Sequence, residues 1–328
     1  MTSANIKGRK KANKSRDARP WAAIFAALGT GTFFLLLCFP ALSASLVRDG
    51  LRLCALTVIP SLFPFMALSE IIIGCLPRRN TGKGKTKKTV LGLPAHCLFA
   101  IILGILCGAP VGAKCASSLY RDSKISSDEY SRLLPLCNIP SAPFVICAVG
   151  ELTFKDRIFG LILYASCVIS AILCGYISGA VFKFGADKGL PFHEPSSRKG
   201  EQNFSAVSLF CDSVCSAAAS VISICAFVTF FYTLVGILRA VISVSPLWAP
   251  VFFGFFEMTG GTSLSPSAGD TGRYLAAAVL GWSGLSVHLQ VINVCRGNSV
   301  SFKPYILSKI LSFAVCPLIV LVFYCLLS

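Results

Sequence analysis

The sequence predicts an all-α membrane protein: a polytopic bundle of transmembrane helices with two related halves and broken or re-entrant helices. The first observation is composition, because 55% of the 328 residues are hydrophobic and only 13% are charged. A soluble domain carries about 25% charged residues. The second is length, since several apolar runs reach the roughly 20 residues that a helix needs to cross a bilayer. The third is that glycines, prolines and charged residues interrupt some of these runs in both halves.

The net charge of +16 is concentrated beside apolar segments. Seven basic residues precede Trp21, and six more lie between Arg78 and Lys88 with no acid among them. Basic clusters next to apolar segments are typical of cytoplasmic anchors. The pattern favours the lipid bilayer over nucleic acid as the partner of this chain and predicts a cytoplasmic N-terminus.

The polar residues do not form a recognisable catalytic or metal-binding pattern. The 16 cysteines are scattered, mostly within apolar runs, without a CxxC pair, and there are only three histidines. Neither a metal site nor a disulfide framework has the required spacing, and cysteine packs well as a small side chain between helices. No Ser/His/Asp order or pair of carboxylates stands out. We therefore expect no metal, no cofactor and no enzymatic activity.

The chain divides at its hydrophilic segments. We expect a basic cytoplasmic tail (1–20), a first membrane half (21–182), a hydrophilic loop (183–203) and a second membrane half (204–328). The first apolar run could instead belong to a signal peptide, but its length of about 25 residues exceeds the usual 7–15. We therefore expect an uncleaved span. The predicted membrane segments, in order, are residues 21–46, 53–76, 98–119, 133–150, 157–182, 204–238, 248–264, 274–295 and 302–327.

Three segments of the first half carry residues that interrupt helices. Pro60 and Pro64 lie in segment 53–76 and predict a discontinuous or kinked helix, because proline removes a backbone donor and clashes with the preceding turn. Segment 98–119 contains Cys-Gly-Ala-Pro-Val-Gly-Ala-Lys at 107–114, and we expect a broken span there. Segment 133–150 carries a polar side chain and two prolines, which favours a segment that enters the membrane and returns rather than crosses. The residues that define these breaks are Gly108, Pro110, Gly112, Asn138, Pro140 and Pro143.

Lys114 is the most costly residue of the interrupted segment. A lysine at the centre of a bilayer costs roughly 2.5–3.5 kcal/mol. A helix broken at mid-membrane exposes backbone N–H groups that favour anions, and Lys114 would add a full positive charge to them. The same side chain could instead snorkel to the interface, or pair with Glu70 or Glu257. The sequence leaves these alternatives open.

The second half has its own set of polar residues inside apolar segments. They are Glu257, Thr259, Ser286, His288 and Gln290. The last three are spaced two apart, so an ideal helix would spread them over different faces. They would act together on unwound backbone, which Gly281 and Gly284 allow. The alternative is that these side chains make ordinary hydrogen bonds between helices.

The two halves show a weak internal similarity. Residues 55–59 align with 218–222, and residues 121–130 align with 296–305. Under the second alignment, Gly108 to Lys114 falls near Gly281 to Gln290. Duplicated halves with broken helices at corresponding positions are typical of a transporter binding site. The sequence does not decide between parallel and inverted repeats.

Five motifs resemble those of the YlbJ-type sporulation integral membrane proteins, a family with the nucleoside recognition or Gate domain. The resemblance covers roughly residues 50–327. The motifs are Ile-Pro-Ser-Leu-Phe-Pro-Phe (59–65), Gly-Ala-Pro-Val-Gly-Ala-Lys (108–114), Arg-Leu-Leu-Pro-Leu-Cys-Asn (132–138), Phe-Glu-Met-Thr-Gly-Gly (256–261) and Gly-Leu-Ser-Val-His-Leu-Gln (284–290).

The resemblance implies a multi-pass protein in the mother-cell membrane around the forespore, one that moves dipicolinic acid toward the spore. It also implies that polar residues of these motifs face the substrate: Lys114 and Asn138 in the first half, and Glu257, Thr259, Ser286, His288 and Gln290 in the second. We infer that the substrate is a small anion and expect Gly108 and Gly112 to line the same site. The alternatives are a nucleoside transporter and a membrane protein of spore assembly that transports nothing. The coupling ion, the direction of transport and the oligomeric state stay open.

Overall fold

The computed structural model describes residues 22–76, 92–182 and 206–327, apart from residues 24, 25, 28 and 299. The basic tail, the basic loop 77–89 and the hydrophilic loop 183–203 lie outside the described residues. The described chain is helical and contains no strand, so the predicted all-α class is confirmed. Its helices are α1 (Gly29–Cys38), α2 (Pro40–Leu53), α3 (Ile59–Cys75), α4 (Cys97–Cys107), α5 (Ala109–Arg121), α6 (Ser127–Leu136), α7 (Arg157–Val181), α8 (Ala206–Val241), α9 (Ala249–Phe256), α10 (Met258–Leu264), α11 (Gly272–Trp282), α12 (Gly284–Val294) and α13 (Lys303–Leu327).

Four stretches of the described chain are long and apolar enough to cross a membrane: Arg157–Val181, Ala206–Val241, Met258–Val294 and Lys303–Leu327. A fifth candidate is the pair formed by α1 and α2, which meet at Phe39 with a bend of 108°. The predicted span over 21–46 therefore contains a sharp bend at Phe39, which the sequence does not predict. Pro40 starts α2 at a position where its missing N–H costs no hydrogen bond, so the chain can change direction there.

The prolines of segment 53–76 do not break its helix. The chain is helical from Pro40 to Cys75, and only Cys54–Val58, just before Pro60, widens to a π-helical turn. Pro64 lies inside α3. Of the two predicted forms, the discontinuous helix is therefore wrong, because a π-helical turn accommodates a local defect without ending the helix, while the kinked helix stays a prediction.

The interrupted segment 98–119 is a re-entrant hairpin. Gly108 has φ 98° and ψ 177°, which ends α4 and starts α5. A Cβ atom added to Gly112 would lie 2.9 Å from the Cα of Gly104, so the two helices pack side by side instead of continuing in line. The segment therefore enters and returns, and the expectation of a broken span that crosses the membrane is wrong. We call α4 and α5 hairpin 1, with its tip at Gly108.

A second hairpin lies in the other half of the chain. Glu257, with φ −147° and ψ 123°, separates α9 from α10. A Cβ atom added to Gly261 would lie 2.4 Å from the Cα of Gly254. Helices α9 and α10 therefore also pack side by side, and we call them hairpin 2, with its tip at Glu257.

Each hairpin is followed by a helix that is interrupted near its middle. In the first half, α6 ends at Leu136, residues 137–141 are not helical, and the π-helical segment Phe144–Thr153 follows. In the second half, α11 and α12 are separated at Ser283, which has a left-handed φ of 74°. We call residues 137–141 break 1 and residues 283–284 break 2.

The first interrupted helix crosses from one end of α13 to the other. Near its start, Ser131 accepts a hydrogen bond from the Ser301 N–H at 3.1 Å, just before α13 begins. Past its end, Asp156 is joined through Arg273 to Tyr324, close to the end of α13. Helix α13 has 25 residues and therefore spans about 37 Å. The expectation that segment 133–150 enters and returns is therefore wrong.

The two halves are related as inverted repeats. Helix α7 follows the interrupted helix of the first half, and α13 follows that of the second half. Asp156, just before α7, lies near the end of α13. Farther along α7, the sulfur atom of Cys167 lies 3.8 Å from that of Cys316 in α13. The two helices therefore run antiparallel. Corresponding helices of the two halves also make corresponding contacts with the opposite half. Helix α5 packs on α12 as α10 packs on segment Phe144–Thr153, and α6 packs on α13 as α11 packs on α7.

Candidate functional site

The tip of each hairpin lies on the break of its own half. A Cβ atom added to Gly108 would lie 2.9 Å from the Cβ of Ser141 in break 1. A Cβ atom added to Gly284 in break 2 would lie 3.2 Å from the Cα of Glu257. The two tips and the two breaks form the centre of the repeat structure, and we call these residues the central site.

Lys309 joins the two breaks. Its ammonium donates to the backbone oxygen of Asn138 in break 1 at 2.6 Å and to the hydroxyl of Ser283 in break 2 at 2.9 Å. The residue is 3% exposed, and no carboxylate of the described residues lies within 4.0 Å of its ammonium. A lysine ammonium has three donors, so one is left after these two bonds. The central site therefore holds a buried positive charge that no carboxylate neutralises.

Two polar atoms beside Lys309 are buried without a hydrogen-bond partner. The first is the side-chain oxygen of Asn138, and the second is Nε2 of His288. The other ring nitrogen of His288 contacts the Tyr305 hydroxyl at 2.8 Å, and Tyr305 lies one turn before Lys309 on the same face of α13. Buried polar groups normally find partners. The Asn138 oxygen only accepts and would need a donor, whereas His288 Nε2, in the tautomer that protonates it, can donate to an anion.

Three helices begin at the central site, and their N-termini differ. The Glu257 carboxylate caps α10, where it accepts the N–H groups of Thr259 at 2.8 Å and Gly260 at 2.7 Å. Helices α5 and α12 have no side-chain cap. Uncapped N-termini favour an anion, so two of the three can receive a negative group from elsewhere. The Glu257 carboxylate and the Thr259 N–H group therefore stabilise the tip of hairpin 2.

Lys114 is paired with Glu70. Its ammonium lies 3.1 Å from the Glu70 carboxylate and donates to Ser216 at 3.0 Å. Ser118 and Arg121 also donate to that carboxylate. Lys114 follows the tip at Gly108 by six residues, or about 9 Å along the helix. Of the alternatives left open by the sequence, the structure shows the pair with Glu70, and it does not place the Lys114 charge on the central site.

The three polar residues of the second half are not on unwound backbone. Ser286, His288 and Gln290 all lie within α12, where Gln290 donates to Ser286 at 3.1 Å. The prediction of a shared unwound segment is therefore wrong, and only His288 is directed to the side of Tyr305. Gly281 instead allows close packing, since its Cβ would lie 2.2 Å from the backbone oxygen of Ser312.

The structural counterpart of hairpin 1 also differs from the sequence alignment. Gly108 corresponds by topology to Glu257, the tip of hairpin 2, and not to the stretch from Gly281 to Gln290. Gly112 lies in α5 where the helix packs against Gly104 of α4 and against the backbone carbonyl of Cys137. Its small size therefore serves packing. Lys309 was missed by sequence reasoning, although its signal was present: a lysine inside the last apolar segment, six residues after Lys303.

Fold and site together define a multi-pass helical membrane protein with two inverted repeats, two re-entrant hairpins and a buried polar centre. The chain is similar to the sporulation integral membrane protein YlbJ of Bacillus subtilis (strain 168), with 24% identity over an alignment 307 residues long that covers 83% of this chain and 75% of that protein. This similarity supports the YlbJ-type relationship indicated by the five motifs. No family model matches the chain, and no solved structure matches it.

Proposed function

We propose that this chain is a membrane transporter that carries a small organic anion through the central site. The observation that carries the proposal is the uncompensated charge of Lys309 at the meeting point of the two breaks. Ionisable residues inside a membrane protein are costly and mark substrate or ion pathways. The uncapped N-termini of α5 and α12 add partial positive charge to the same place.

Inverted repeats with broken helices support alternating access as the mechanism. In such transporters the substrate binds near the middle of the bilayer at the repeat interface, and one repeat rocks against the other. In this chain Asn138, Ser283 and Lys309 are at most 3% exposed, so the conformation described here is closed around the central site. Movement of a hairpin tip away from its break would open the site to one side.

We propose dipicolinate as the substrate. It is a planar dianion, and its two carboxylates match the free donor of Lys309 and an uncapped helix N-terminus. The aromatic rings of Trp282, His288 and Tyr305 lie together beside the site, with centroids 4.3 and 5.5 Å apart, and would pack against a flat ring. The name of the Bacillus subtilis relative supports a role in sporulation. Location in the mother-cell membrane around the forespore, with a cytoplasmic N-terminus, is part of this proposal.

Uptake into proteoliposomes tests the proposed function. The purified full-length protein should take up labelled dipicolinate, and an excess of unlabelled dipicolinate should compete while nucleosides should not. Competition by nucleosides together with indifference to dipicolinate would instead identify a nucleoside carrier. Absence of uptake of either compound, by protein shown to be folded, would favour a membrane protein of spore assembly that transports nothing.

A further inference from the structure

We propose that Lys309 is a tethered cation that fills the place of a coupling ion in the central site, so that transport does not use Na⁺. This inference rests on the proposed function and adds the identity of the cation that the site holds. It is carried by the contacts of Lys309, by the absence of a neutralising carboxylate in the described chain, and by its position between the two repeats.

The two oxygens that hold Lys309 are of the kind that coordinate a bound metal cation. In secondary transporters, unwound backbone carbonyls and helix ends at the broken helices coordinate Na⁺ or H⁺. Here the Asn138 carbonyl and the Ser283 hydroxyl, one from each break, bind the ammonium at 2.6 and 2.9 Å. A single cation therefore joins the two repeats, and that cation belongs to the protein.

The charge of the site leaves little room for a second cation. Lys309 lies in the protein interior, and the carboxylate at the nearby hairpin tip, Glu257, is turned to the N–H groups of its own helix. Two positive charges a few ångströms apart in a buried site repel each other strongly. A Na⁺ ion near Asn138 would therefore have to displace the ammonium, whereas an anionic substrate is attracted by it.

The tether has a consequence for transport. Lys309 is fixed on α13, which packs along α7, so the cation cannot leave with the substrate. Its long side chain can still release Ser283 or Asn138 when the breaks separate. The cation therefore stays in the protein throughout the cycle, and transport needs no Na⁺ gradient.

Thermal unfolding in detergent tests the cation site without any transport assay. The wild-type protein should melt at the same temperature in NaCl and in choline chloride of equal ionic strength. Lys309→Ala, which vacates the site, should melt at a higher temperature in NaCl, because a ligand that binds only the folded state stabilises it. Lys303→Ala, on the exposed first turn of the same helix, should behave like the wild type. Lys309→Gln serves if the alanine variant fails to fold.

A rise in the melting temperature of the wild type with Na⁺ would overturn the inference, as would a Lys309→Ala protein that does not respond to Na⁺. Uptake gives the second readout: labelled dipicolinate should enter proteoliposomes equally fast in Na⁺ and in choline. A strict requirement of the wild type for Na⁺ would again contradict the tethered cation. If no dipicolinate enters in either salt, the proposed function fails, while the melting comparison still decides on the cation site.

Discussion

At the scale of single residues, two of the buried lysines, Lys114 and Lys309, have different environments. Lys114 shares the Glu70 carboxylate with Ser118 and Arg121, whereas Lys309 is bound only by a carbonyl and a hydroxyl among the described residues. A charge that is already neutralised gains little from an anionic substrate. We therefore assign Lys114 to the stability of the α3, α5 and α8 contact and Lys309 to the substrate.

Lys114→Met should lower stability more than it changes substrate affinity. Breaking a buried ion pair typically costs 3–5 kcal/mol; because Arg121 stays near Glu70, we expect about 2 kcal/mol. Unfolding in detergent measures this loss, and Glu70→Gln in the same protein should restore part of it. A Lys114→Met protein of unchanged stability whose KM for dipicolinate rises tenfold would return Lys114 to the binding site.

Residue patterns identified the polar positions but not their partners. Asn138 and His288 are predicted from the sequence as polar side chains in apolar segments, and both lie beside Lys309 with an unpartnered atom. The sequence does not predict Lys309, because it is one of several basic residues near the start of the last apolar segment, where snorkelling is the ordinary explanation. Whether a lysine points to the interface or to the interior depends on how helices pack, and a single sequence does not contain that information.

At the scale of helices, the tip of hairpin 1 depends on one glycine. The dihedral angles of Gly108 lie in a region that only glycine adopts readily, which costs another residue about 1–3 kcal/mol. Gly108→Ala would also bring a Cβ atom to 2.9 Å from the Cβ of Ser141. We expect lower stability and a large loss of uptake, because the tip can no longer close on break 1.

The matched control is Gly297→Ala. Gly297 also has a positive φ, of 86°, but a Cβ atom there would meet nothing within 4 Å. This variant should carry backbone strain alone and keep its uptake per molecule of folded protein. Equal uptake by both variants, measured at equal amounts of folded protein, would mean that closure of the Gly108 tip plays no part in transport.

The glycines and prolines of the sequence indicate where helices are interrupted more reliably than what form the interruption takes. The hairpin tip at Gly108 falls inside the predicted motif, while the chain stays helical through Pro60 and Pro64. A re-entrant hairpin and a broken span have the same local sequence, because both need a helix end within an apolar run. The difference appears only in the close approach of Gly104 to Gly112, which is a tertiary contact.

At the scale of the whole molecule, the antiparallel arrangement of α7 and α13 predicts the membrane sidedness of two turns. The turn before α7, at Lys155, and the turn before α13, at Gly297, should lie on opposite sides of the membrane, because each precedes the corresponding helix of an inverted repeat. A short epitope inserted at either position reports its side through antibody binding to intact and to permeabilised cells.

An epitope placed after the last residue of α13 provides the control, since that end lies beside the start of α7. It should report the same side as the insertion at Lys155. Insertions at Lys155 and Gly297 that are exposed on one and the same side would contradict the inverted repeat.

The existence of two halves could be predicted from the sequence, but their relation could not. The alignment of residues 121–130 with 296–305 pairs the end of hairpin 1 with the end of α12, which the topology does not support. Membrane segments resemble one another because the lipid environment favours the same apolar residues in all of them. Weak identity between two segments therefore does not determine how they align. The order of hairpin, interrupted helix and long helix in each half is visible only once the hairpins are known.

The central claim, that an anion binds at Lys309 between the two breaks, is tested most directly by uptake of labelled dipicolinate into proteoliposomes by Lys309→Met and by Lys303→Ala. Loss of a hydrogen bond to a charged group, worth about 1.5–3 kcal/mol, corresponds to about a 10–100-fold loss of affinity. The account predicts that loss for Lys309→Met and wild-type uptake for Lys303→Ala. Wild-type uptake by folded Lys309→Met protein would contradict it.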